Sequence, residues 1–430
     1  MKDTSMKKSK ELFEKAKKVI PGGVQNARRP SCFTNSYPIF NDKAKGSHLW
    51  DVDGNEYIDW LLSYGPIVLG HCDEKVDDAV ISVIKNGFLF NLSAPIQIEL
   101  AEKLIQHVPC AEMCVTVMTG SEATATAVRI ARTYTGKDII ARWGYHGWLD
   151  WCVDNKTGVP GGVTNDTKSF KYNDLNSLEE VLIKNKGKVA AIIMMPFEVV
   201  MPEKGFLEGV RKLADNHKAV LIFDEIRSWP RMGLGGAQKY FGVTPDITAL
   251  SKGLGNGYPI SVVVGKADIM QATEKTVISA TYFPSKMGMV AALETIRQLE
   301  NEKLIEHFKN IGERLSNGLR KIIENKKIKA SVMGAPQLPF LIFGDEEVNI
   351  KALSGQSMVA AVNTSSSGKV DKEIEKANKL TDLFYSETIK RGVFFHPKHH
   401  WFTCTSHTFE DVDNTLKICD ESLNVAVKNL

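Results

Sequence analysis

Short apolar runs alternate with amphipathic segments through the middle of the chain. Runs rich in valine, isoleucine and other apolar residues predict buried strands over 114–119, 138–143, 189–195, 219–224, 246–251 and 260–265. Between several of them the apolar positions recur with a helical period, as in 121–134 and 205–217. This alternation predicts an α/β fold, with a doubly wound, mostly parallel sheet and helices on both of its faces.

Both ends of the chain have a different pattern. The last third predicts long helices over 284–326, 371–391 and 409–429, with a short strand at 393–396. The beginning predicts a helix followed by turn-rich strands. We therefore expect a large central domain over 71–315 and a smaller α/β domain built from residues 1–70 and 316–430.

Composition and charge exclude several classes of protein. The 430 residues are 43% hydrophobic and 24% charged, which is typical of a soluble globular protein. The 54 basic and 51 acidic residues leave a net charge of +3, which argues against a nucleic-acid or membrane-surface partner. No apolar run is long enough for a transmembrane helix, and the lysine-rich start lacks the apolar core of a signal peptide. Seven cysteines without a zinc-like spacing suggest reduced thiols, so we expect a cytoplasmic protein.

Two candidate sites directly follow predicted strands, where ligands bind in open parallel sheets. Gly120-Ser121 joins a strand to a helix, and backbone N–H groups at a helix N-terminus favour phosphate. Taken alone, this pair is equally consistent with an ordinary helix cap. Asp224 and Glu225 close another strand, where carboxylates can hold a metal, act as a base or pair with a protonated heterocycle. A solvated strand end explains them equally well in isolation.

The other two candidates are a lysine and an aromatic segment. Lys252 closes an apolar strand before a glycine-rich loop, so desolvation would lower its pKa and free its amine for Schiff-base chemistry, although most lysines are simply solvated. Tyr145 lies between two glycines, where its ring could face a planar cofactor or belong to the core. Together, a phosphate turn, an aromatic ring, a carboxylate and a lysine are the parts that hold pyridoxal phosphate.

Ordered motifs extend this picture along nearly the whole chain. They include Val-Ile-Pro-Gly-Gly-Val at 19–24, Trp-Asp-Val-Asp-Gly-Asn-Glu-Tyr-Ile-Asp at 50–59 and Gly-Pro-Ile-Val-Leu-Gly-His at 65–71. Gly-Gly-Ala-Gln at 235–238 and Gly-Val-Thr-Pro-Asp at 242–246 then lead to the candidate lysine. In these motifs the chain resembles the class-III pyridoxal-phosphate-dependent aminotransferases of fold type I, and most closely their glutamate-1-semialdehyde aminomutase branch. The resemblance implies pyridoxal 5'-phosphate as cofactor.

The resemblance also implies roles for individual residues. Lys252 matches the lysine that binds the cofactor as a Schiff base, and Asp224 matches the aspartate paired with the pyridine nitrogen. Ile226 and Tyr145 match the residues that pack on the two faces of the cofactor ring. The remaining cofactor-binding positions that the resemblance implies are Gly120, Ser121 and His146.

Three further matches concern the neighbouring subunit and the substrate. Thr281 matches a threonine that reaches the phosphate from the neighbouring subunit, which implies a homodimer with shared active sites. Arg29 matches an arginine that binds the substrate carboxylate in the aminomutase branch. Tyr64 matches an aromatic residue that lines the substrate pocket in that branch.

Several departures from the family pattern surround the substrate rather than the cofactor. Met-Met-Pro-Phe-Glu at 194–198 replaces a Glu-Pro and glycine-rich stretch, and Ser-Trp-Pro at 228–230 replaces Thr-Gly-Phe. Tyr-Phe-Pro at 282–284 replaces Gly-Asn-Pro, and Lys-His-His-Trp at 398–401 lacks the acidic residue of the aminomutase branch. We therefore expect a substrate other than glutamate-1-semialdehyde.

Aromatic residues and histidines supply further candidates for the substrate pocket. The aromatic candidates, which could equally lie in the core or at a dimer interface, are Trp148, Trp151, Trp229, Tyr258, Tyr282 and Phe283. The histidines concerned are His396, His399, His400 and His407. We favour His399 or His400 near the substrate over a metal site, because adjacent residues of a strand point to opposite faces.

The leading hypothesis is an aminotransferase that moves an amino group between an amino acid or amine donor and a carbonyl acceptor. Lys252 would hold the cofactor and then act as general base and general acid. An intramolecular aminomutase, or a racemase of an amino acid or lactam, stays open because all of them share these anchors. Lys252, Asp224 and Tyr145 together disfavour a non-catalytic cofactor-binding protein. The glycine spacing at 253–257 does not fit a nicotinamide dehydrogenase.

Overall fold

The chain divides into two compact units, each of which is described by itself. The structure, a computed structural model, describes residues 6–24, 39–347, 349–350 and 372–430. The sheet unit contains Glu74–Ile305, and the terminal unit contains the described residues up to Asp73 and from Glu306 onward. None of the helices in the described ranges combines the length and the apolar composition that crossing a bilayer requires.

Buried, apolar strands are the framework of both units. In chain order the strands are β1 (Asn41–Lys45), β2 (His48–Asp51), β3 (Glu56–Asp59), β4 (Met113–Val117), β5 (Ile139–Trp143), β6 (Thr167–Ser169), β7 (Val189–Met194), β8 (Val220–Asp224), β9 (Ile247–Leu250), β10 (Ser261–Gly265), β11 (Ala330–Met333), β12 (Phe340–Phe343) and β13 (Val393–Phe394). The six strands predicted in the middle of the chain are confirmed as β4, β5 and β7 to β10. The prediction missed β6, a short polar strand without an apolar run.

The sheet unit is built on one seven-stranded sheet with the order β4-β10-β9-β8-β7-β5-β6. Only β10 runs antiparallel to its neighbours, so the expected mostly parallel sheet is confirmed. Alternate residues of β8 enter different clusters: Leu221 and Phe223 join one apolar cluster, while Val220 and Ile222 join another. Because successive side chains of a strand point to opposite faces, the sheet is covered by apolar packing on both faces.

Helices alternate with these strands and close both units. They extend over α1 (Lys7–Ala16), α2 (Glu74–Lys85), α3 (Pro95–His107), α4 (Gly120–Thr135), α5 (Leu175–Lys184), α6 (Phe206–Asn216), α7 (Gly236–Phe241), α8 (Ala267–Met270), α9 (Lys286–Leu299), α10 (Glu302–Lys326), α11 (Lys372–Lys390) and α12 (Phe409–Lys428). The single helix predicted over 284–326 is wrong: it is divided into α9 and α10. The Asn301 side chain accepts a hydrogen bond from the Lys303 N–H, which caps the start of α10.

The terminal unit has a small sheet of its own with the order β1-β2-β3-β13, beside the antiparallel pair β11 and β12. Strand β13 pairs in parallel with β3, so Val393 lies opposite Ile58, and the strand is two residues shorter than predicted. Helices α10, α11 and α12 contribute to one apolar core that also contains Trp60 and Trp401. This packing joins the beginning and the end of the chain in one unit.

Candidate active site

The sheet topology brings the loops that carry the candidate residues to one edge of the sheet. Strands β4, β5, β8 and β9 point in the same direction, and their carboxyl ends precede Gly120, Tyr145, Glu225 and Lys252. Ligands of open α/β sheets bind at this edge. The structure therefore groups these candidates as the fold class predicts.

The turn before α4 leaves hydrogen-bond donors at the start of the helix. The helix is capped by Thr119, whose hydroxyl accepts from the Glu122 N–H while the Glu122 carboxylate accepts from the Thr119 N–H. Ser121 is thus not the cap. In the part of the chain that the structure describes, the N–H groups of Gly120 and Ser121 and the Ser121 hydroxyl donate to no residue. A helix N-terminus with free donors favours an anion.

Close packing joins this turn to the neighbouring loops. A Cβ atom added at Gly120 would lie 3.1 Å from Cδ1 of Ile226, so only glycine leaves this contact relaxed. Gly147 has a φ of +109°, and a Cβ atom there would overlap the Ser121 hydroxyl oxygen. The Thr124 hydroxyl donates to the His146 carbonyl oxygen at 2.6 Å. These contacts fix the loops after β4, β5 and β8 against one another.

Asp224 and His146 form a buried, hydrogen-bonded pair. His146 Nδ1 lies 2.7 Å from Asp224 Oδ2, and His146 Nε2 lies 3.1 Å from the Trp143 carbonyl oxygen. Of the two ring nitrogens, Nδ1 thus faces the carboxylate and Nε2 faces a carbonyl oxygen, which can only accept. The Ile226 N–H donates to Asp224 Oδ1 at 3.2 Å. The Asp224 carboxylate is therefore held through both of its oxygens, one by the His146 ring and one by a backbone N–H group.

The neighbouring carboxylate, Glu225, has a structural role. It is fully buried and accepts from the backbone N–H groups of Ala237 and Gln238 and from the Gln238 side chain. Burial raises the pKa of Glu225 to about 7, although these hydrogen bonds oppose the rise. Of the two acidic residues that close β8, one faces the candidate site and the other anchors α7.

Lys252 combines an uncommon backbone conformation with a low pKa. It begins a short 3₁₀ turn after β9 with a φ of +46°, in the left-handed region that is uncommon for a residue other than glycine. Burial of its ammonium group lowers the pKa of Lys252 to about 7, and the charges of Arg227 and Arg231 add to this effect, while Asp224 opposes it. A substantial fraction of the amine is thus neutral near pH 7.

A second buried ion pair, between Arg227 and Glu198, was not among the residues expected from the sequence. Arg227 Nη1 donates to Glu198 Oε1 at 2.6 Å, and the residues are 6% and 2% exposed. Both charged residues lie within stretches that are otherwise buried. The signal available in the sequence was a charged residue beside apolar ones, as Glu198 is between Phe197 and Val199. Their pairing was not predictable, because it joins loops that follow different strands.

The aromatic candidates do not form one cluster within the sheet unit. Tyr145 is half-buried, and burial raises its pKa. Trp151 stacks on His146 with 6.3 Å between the ring centroids, so it reaches the site indirectly. Trp229 is fully buried, and its indole N–H donates to the Leu234 carbonyl oxygen at 2.9 Å.

The remaining aromatic candidates lie elsewhere in the sheet unit. Trp148 and Tyr282 are 69% and 62% exposed. The Tyr258 hydroxyl donates to Asp77 at 2.9 Å, and Phe283 packs on the apolar cluster that contains Ile222. These residues therefore do not form a single aromatic pocket within the sheet unit.

Three residues were expected to contact the substrate or the neighbouring subunit. The structure describes Thr281 and Tyr64 but not Arg29. Thr281 is exposed on the sheet unit, close in sequence to Tyr282. Tyr64 belongs to the terminal unit. Arg29 lies outside the described residues, so its expected role stays a prediction.

The loop that carries Tyr64 has a strained backbone. Leu62, Ser63 and Tyr64 have φ values of +47°, +57° and +70°, and each left-handed residue of this kind costs about 1–2 kcal/mol. The buried Asp59 compensates, because its Oδ1 accepts from the N–H groups of Leu61 and Leu62 at 2.9 Å each. These two hydrogen bonds hold the turn that carries Tyr64.

Two of the candidate histidines lie beside this tyrosine in the terminal unit. The centroid of the Tyr64 ring lies 5.5 Å from that of His396 and 5.0 Å from that of His399. Burial lowers the pKa of His396 to about 3, so this imidazole is neutral at pH 7. No group of three potential metal-ligating side chains occurs in the described ranges.

The residues at the sheet edge fit pyridoxal phosphate in each of its parts. The free N–H groups at the start of α4 suit the phosphate, and the Asp224–His146 pair suits a protonated ring nitrogen. A neutral amine on Lys252 suits attachment of an aldehyde. The fold and this site define a pyridoxal-phosphate enzyme.

Comparison with known proteins gives the family. The model of the family described as aminotransferase class-III matches residues 33–338. A 3-aminobutyryl-CoA aminotransferase of Cloacimonas acidaminovorans is 43% identical over 432 residues, covering 98% of each chain. A glutamate-1-semialdehyde 2,1-aminomutase of Acetivibrio thermocellus is 34% identical, covering 96% of this chain and 97% of its own.

A solved structure gives the same result. The pyridoxal-phosphate internal aldimine form of the FumI protein of Sphingopyxis sp. MTA144 superposes with a TM-score of 0.88 at 25% identity, covering 98% of this chain and 97% of that one. The chain belongs to the class-III aminotransferase family and uses pyridoxal phosphate. The expected family, fold class, cofactor and aminotransferase activity are thereby confirmed.

Proposed function

We propose that this aminotransferase takes its amino group from a β-amino acyl thioester, through a site in which Lys252 holds the cofactor and transfers the proton. The observation that carries the assignment of the lysine is its low pKa beside the Asp224–His146 pair. The donor class is supported by the 3-aminobutyryl-CoA aminotransferase that shares 43% of its residues with this chain.

The residues of the site divide the work among them. When bound, pyridoxal phosphate supplies the aldehyde that takes the amino group and a ring that delocalises the electron pair left by a departing proton. Lys252 Nζ would accept a proton from the substrate carbon, acting as a base, and would return it as an acid to the carbon that was the cofactor aldehyde. Asp224 keeps the ring nitrogen protonated, and the donors of Gly120 and Ser121 hold the phosphate.

The remaining groups position the ring. Tyr145 and Ile226 pack on its two faces, and His146 orients Asp224 through the contact between Nδ1 and Oδ2. In the full reaction the donor amine becomes a carbonyl and the acceptor carbonyl becomes an amine. The two half-reactions balance without an external oxidant or reductant.

Absorbance of the purified holoenzyme tests this function. Adding 3-aminobutyryl-CoA should convert the pyridoxal spectrum to the pyridoxamine spectrum, and a 2-oxo acid should restore it. The Lys252→Ala variant should not repeat these two spectral changes over many turnovers. Lys204 is an exposed lysine of the same unit, and Lys204→Ala should match the wild type. Multiple turnovers by Lys252→Ala would refute the assigned role, and bleaching only by free amino acids would refute the thioester donor.

An intramolecular aminomutase is the second candidate, favoured by relatives such as the 34% identical glutamate-1-semialdehyde aminomutase. An aminomutase returns the amino group to the same carbon skeleton and needs no separate acceptor. Incubation with glutamate-1-semialdehyde alone, followed by chromatography of the products, distinguishes the two. Formation of 5-aminolevulinate at a rate above that of amino transfer would favour the mutase.

We further propose a homodimer that works in the cytoplasm. The described cysteines are all free thiols, in keeping with a reducing compartment. Thr281 is exposed and can contact the phosphate in a partner subunit, while Arg29 and Tyr64 would bind substrate. In this proposal residues 71–315 form the cofactor domain and 1–70 with 316–430 form the smaller domain. Sedimentation of the wild type and of Thr281→Ala, with cofactor affinity for both, tests the shared site.

A further inference from the structure

Arg227 is a buried cation that the mechanism above does not use. It lies three residues after Asp224, on the turn that follows β8, and it is 6% exposed. Its guanidinium group carries five N–H donors in a rigid fork. Among the described residues its one hydrogen-bond acceptor is Glu198 Oε1, at 2.6 Å. The Nε atom is buried and has no partner there.

A buried donor without an acceptor is unfavourable by about 1–3 kcal/mol, so such a group is expected to find a partner in the working protein. Glu198 uses one donor of the fork and leaves the others unused. Guanidinium groups bind carboxylates with two parallel hydrogen bonds. The unused donors of Arg227 therefore favour an oxygen anion from a ligand.

The position of Arg227 indicates which ligand this is. Beyond the effect of burial, its charge contributes to the low pKa of Lys252, and it opposes the rise that burial causes in the pKa of Tyr145. Arg227 thus lies close to the amine at which the amino group is transferred and to the ring expected to pack on the cofactor. An anion bound there would lie within electrostatic range of the Lys252 amine.

We propose that Arg227 binds the carboxylate of the 2-oxo acid that accepts the amino group. This inference rests on the proposed function, in which the donor is a thioester and the acceptor is the substrate that brings a carboxylate. Glu198 is the resident anion of Arg227 and holds the guanidinium group in place before the acceptor enters. Arg227 is accordingly a binding residue for one of the two half-reactions.

A binding measurement tests the inference without turnover. The holoenzyme is titrated with glutarate, a dicarboxylate that cannot accept an amino group, and the cofactor absorbance reports occupancy. In Arg227→Met the dissociation constant for glutarate should rise about 10- to 100-fold, the range of a charge-assisted hydrogen bond. Glu198→Gln should lower the dissociation constant for glutarate, because the Glu198 carboxylate no longer competes for Arg227. The matched control is Arg211→Met, which removes an arginine paired with Asp246 in the same unit.

Amino transfer provides the second measurement. Enzyme loaded with pyridoxamine phosphate is mixed with 2-oxoglutarate or pyruvate, and the donor half-reaction is followed separately with 3-aminobutyryl-CoA. Arg227→Met should raise the half-saturating concentration of the 2-oxo acid by the same factor. It should slow the donor half-reaction only through the higher pKa of Lys252, and that loss should disappear at alkaline pH. Arg227→Lys, which keeps the charge without the fork, should lie between the two.

Several outcomes would overturn the inference. Glutarate binding that is unchanged in Arg227→Met is one, and an equal loss in both half-reactions is another, since it would indicate a role toward the cofactor. If Arg227→Met does not fold because Glu198 has lost its arginine, Arg227→Met/Glu198→Gln removes both charges and must still lose glutarate. A wild type that binds glutarate through Arg227 but transfers no amino group would refute the proposed function and leave this binding role intact.

Discussion

The low pKa of Lys252 leads to a sharp prediction about how the apoenzyme takes up its cofactor. Only a neutral amine attacks an aldehyde, so the rate of attachment at Lys252 follows its deprotonated fraction. With a pKa of about 7, half of the molecules carry the neutral amine at pH 7. A solvated lysine with a pKa of about 10.4 is neutral in roughly one molecule in 2,500 at that pH.

The structure gives the origin of this difference. Burial of the ammonium group is the largest cause, followed by the charge of Arg227, with Asp224 acting in the opposite direction. A pKa lowered from 10.4 to about 7 corresponds to about 5 kcal/mol against the charged form. We therefore expect attachment to rise with pH up to about 7 and then to level off.

The assay is site-specific labelling of the apoenzyme. Apoenzyme is mixed briefly with pyridoxal phosphate from pH 5.5 to 9.5, reduced with borohydride and digested, and the peptide carrying Lys252 is quantified by mass spectrometry. A short lysine peptide treated in the same way corrects for titration of the reagent. The ratio of protein to peptide labelling should fall steeply above pH 7. A ratio that stays constant from pH 7 to 9 would mean that Lys252 titrates like a solvated lysine, and the reasoning from burial would be refuted.

Two further predictions concern the loops and the terminal unit. Gly147→Ala should weaken cofactor binding about 10- to 100-fold in equilibrium dialysis, since it combines a left-handed φ with overlap at Ser121, whereas Gly158→Ala, with a φ of +81° and open space, should bind normally. His48 lies 3.0 Å from Asp411, and this hydrogen bond raises the His48 pKa despite burial. Its protonation should stabilise the terminal unit fully below pH 6.5, and the benefit should be lost as pH rises through the raised pKa. Hydrogen exchange in β2 of the wild type and of His48→Gln should therefore differ at pH 6 and converge at high pH; a difference that grows with pH would contradict this reasoning.

The parts of the fold that the sequence predicted are those with a strong local signal. Strands β7, β8 and β9 are buried on both faces and therefore appear as continuous apolar runs. Strand β6 is polar and pairs with a single neighbour, so its sequence has no such run. The break at Asn301 depends on one side-chain cap within a pattern that is otherwise helical.

The site could be predicted only where chemistry and position coincide in the sequence. Asp224 and Lys252 lie at the ends of apolar strands, which made them candidates, and their expected roles came from the combination of candidates and from the family resemblance. Ser121 was expected as a possible helix cap, and the decision in favour of Thr119 depends on the reach of Glu122, which a sequence pattern does not specify. The different roles of Asp224 and Glu225 likewise depend on their partners in the folded chain: Asp224 contacts His146, whereas Glu225 accepts from the start of α7.

The end of β8 and the turn after it carry both the carboxylate and the cations that the reaction needs. It carries Asp224, the carboxylate expected to pair with the ring nitrogen, and then Arg227 and Arg231, two cations that help to keep Lys252 neutral. Between the cations lies Trp229, which is buried and donates to the Leu234 carbonyl oxygen, so the turn is held by the core rather than by solvent. Trp229 thus anchors in the core the segment that lies between the two arginines. Replacing Trp229 with a small residue would loosen both cations at once, so this departure from the family pattern and the low pKa of Lys252 are expected to depend on each other.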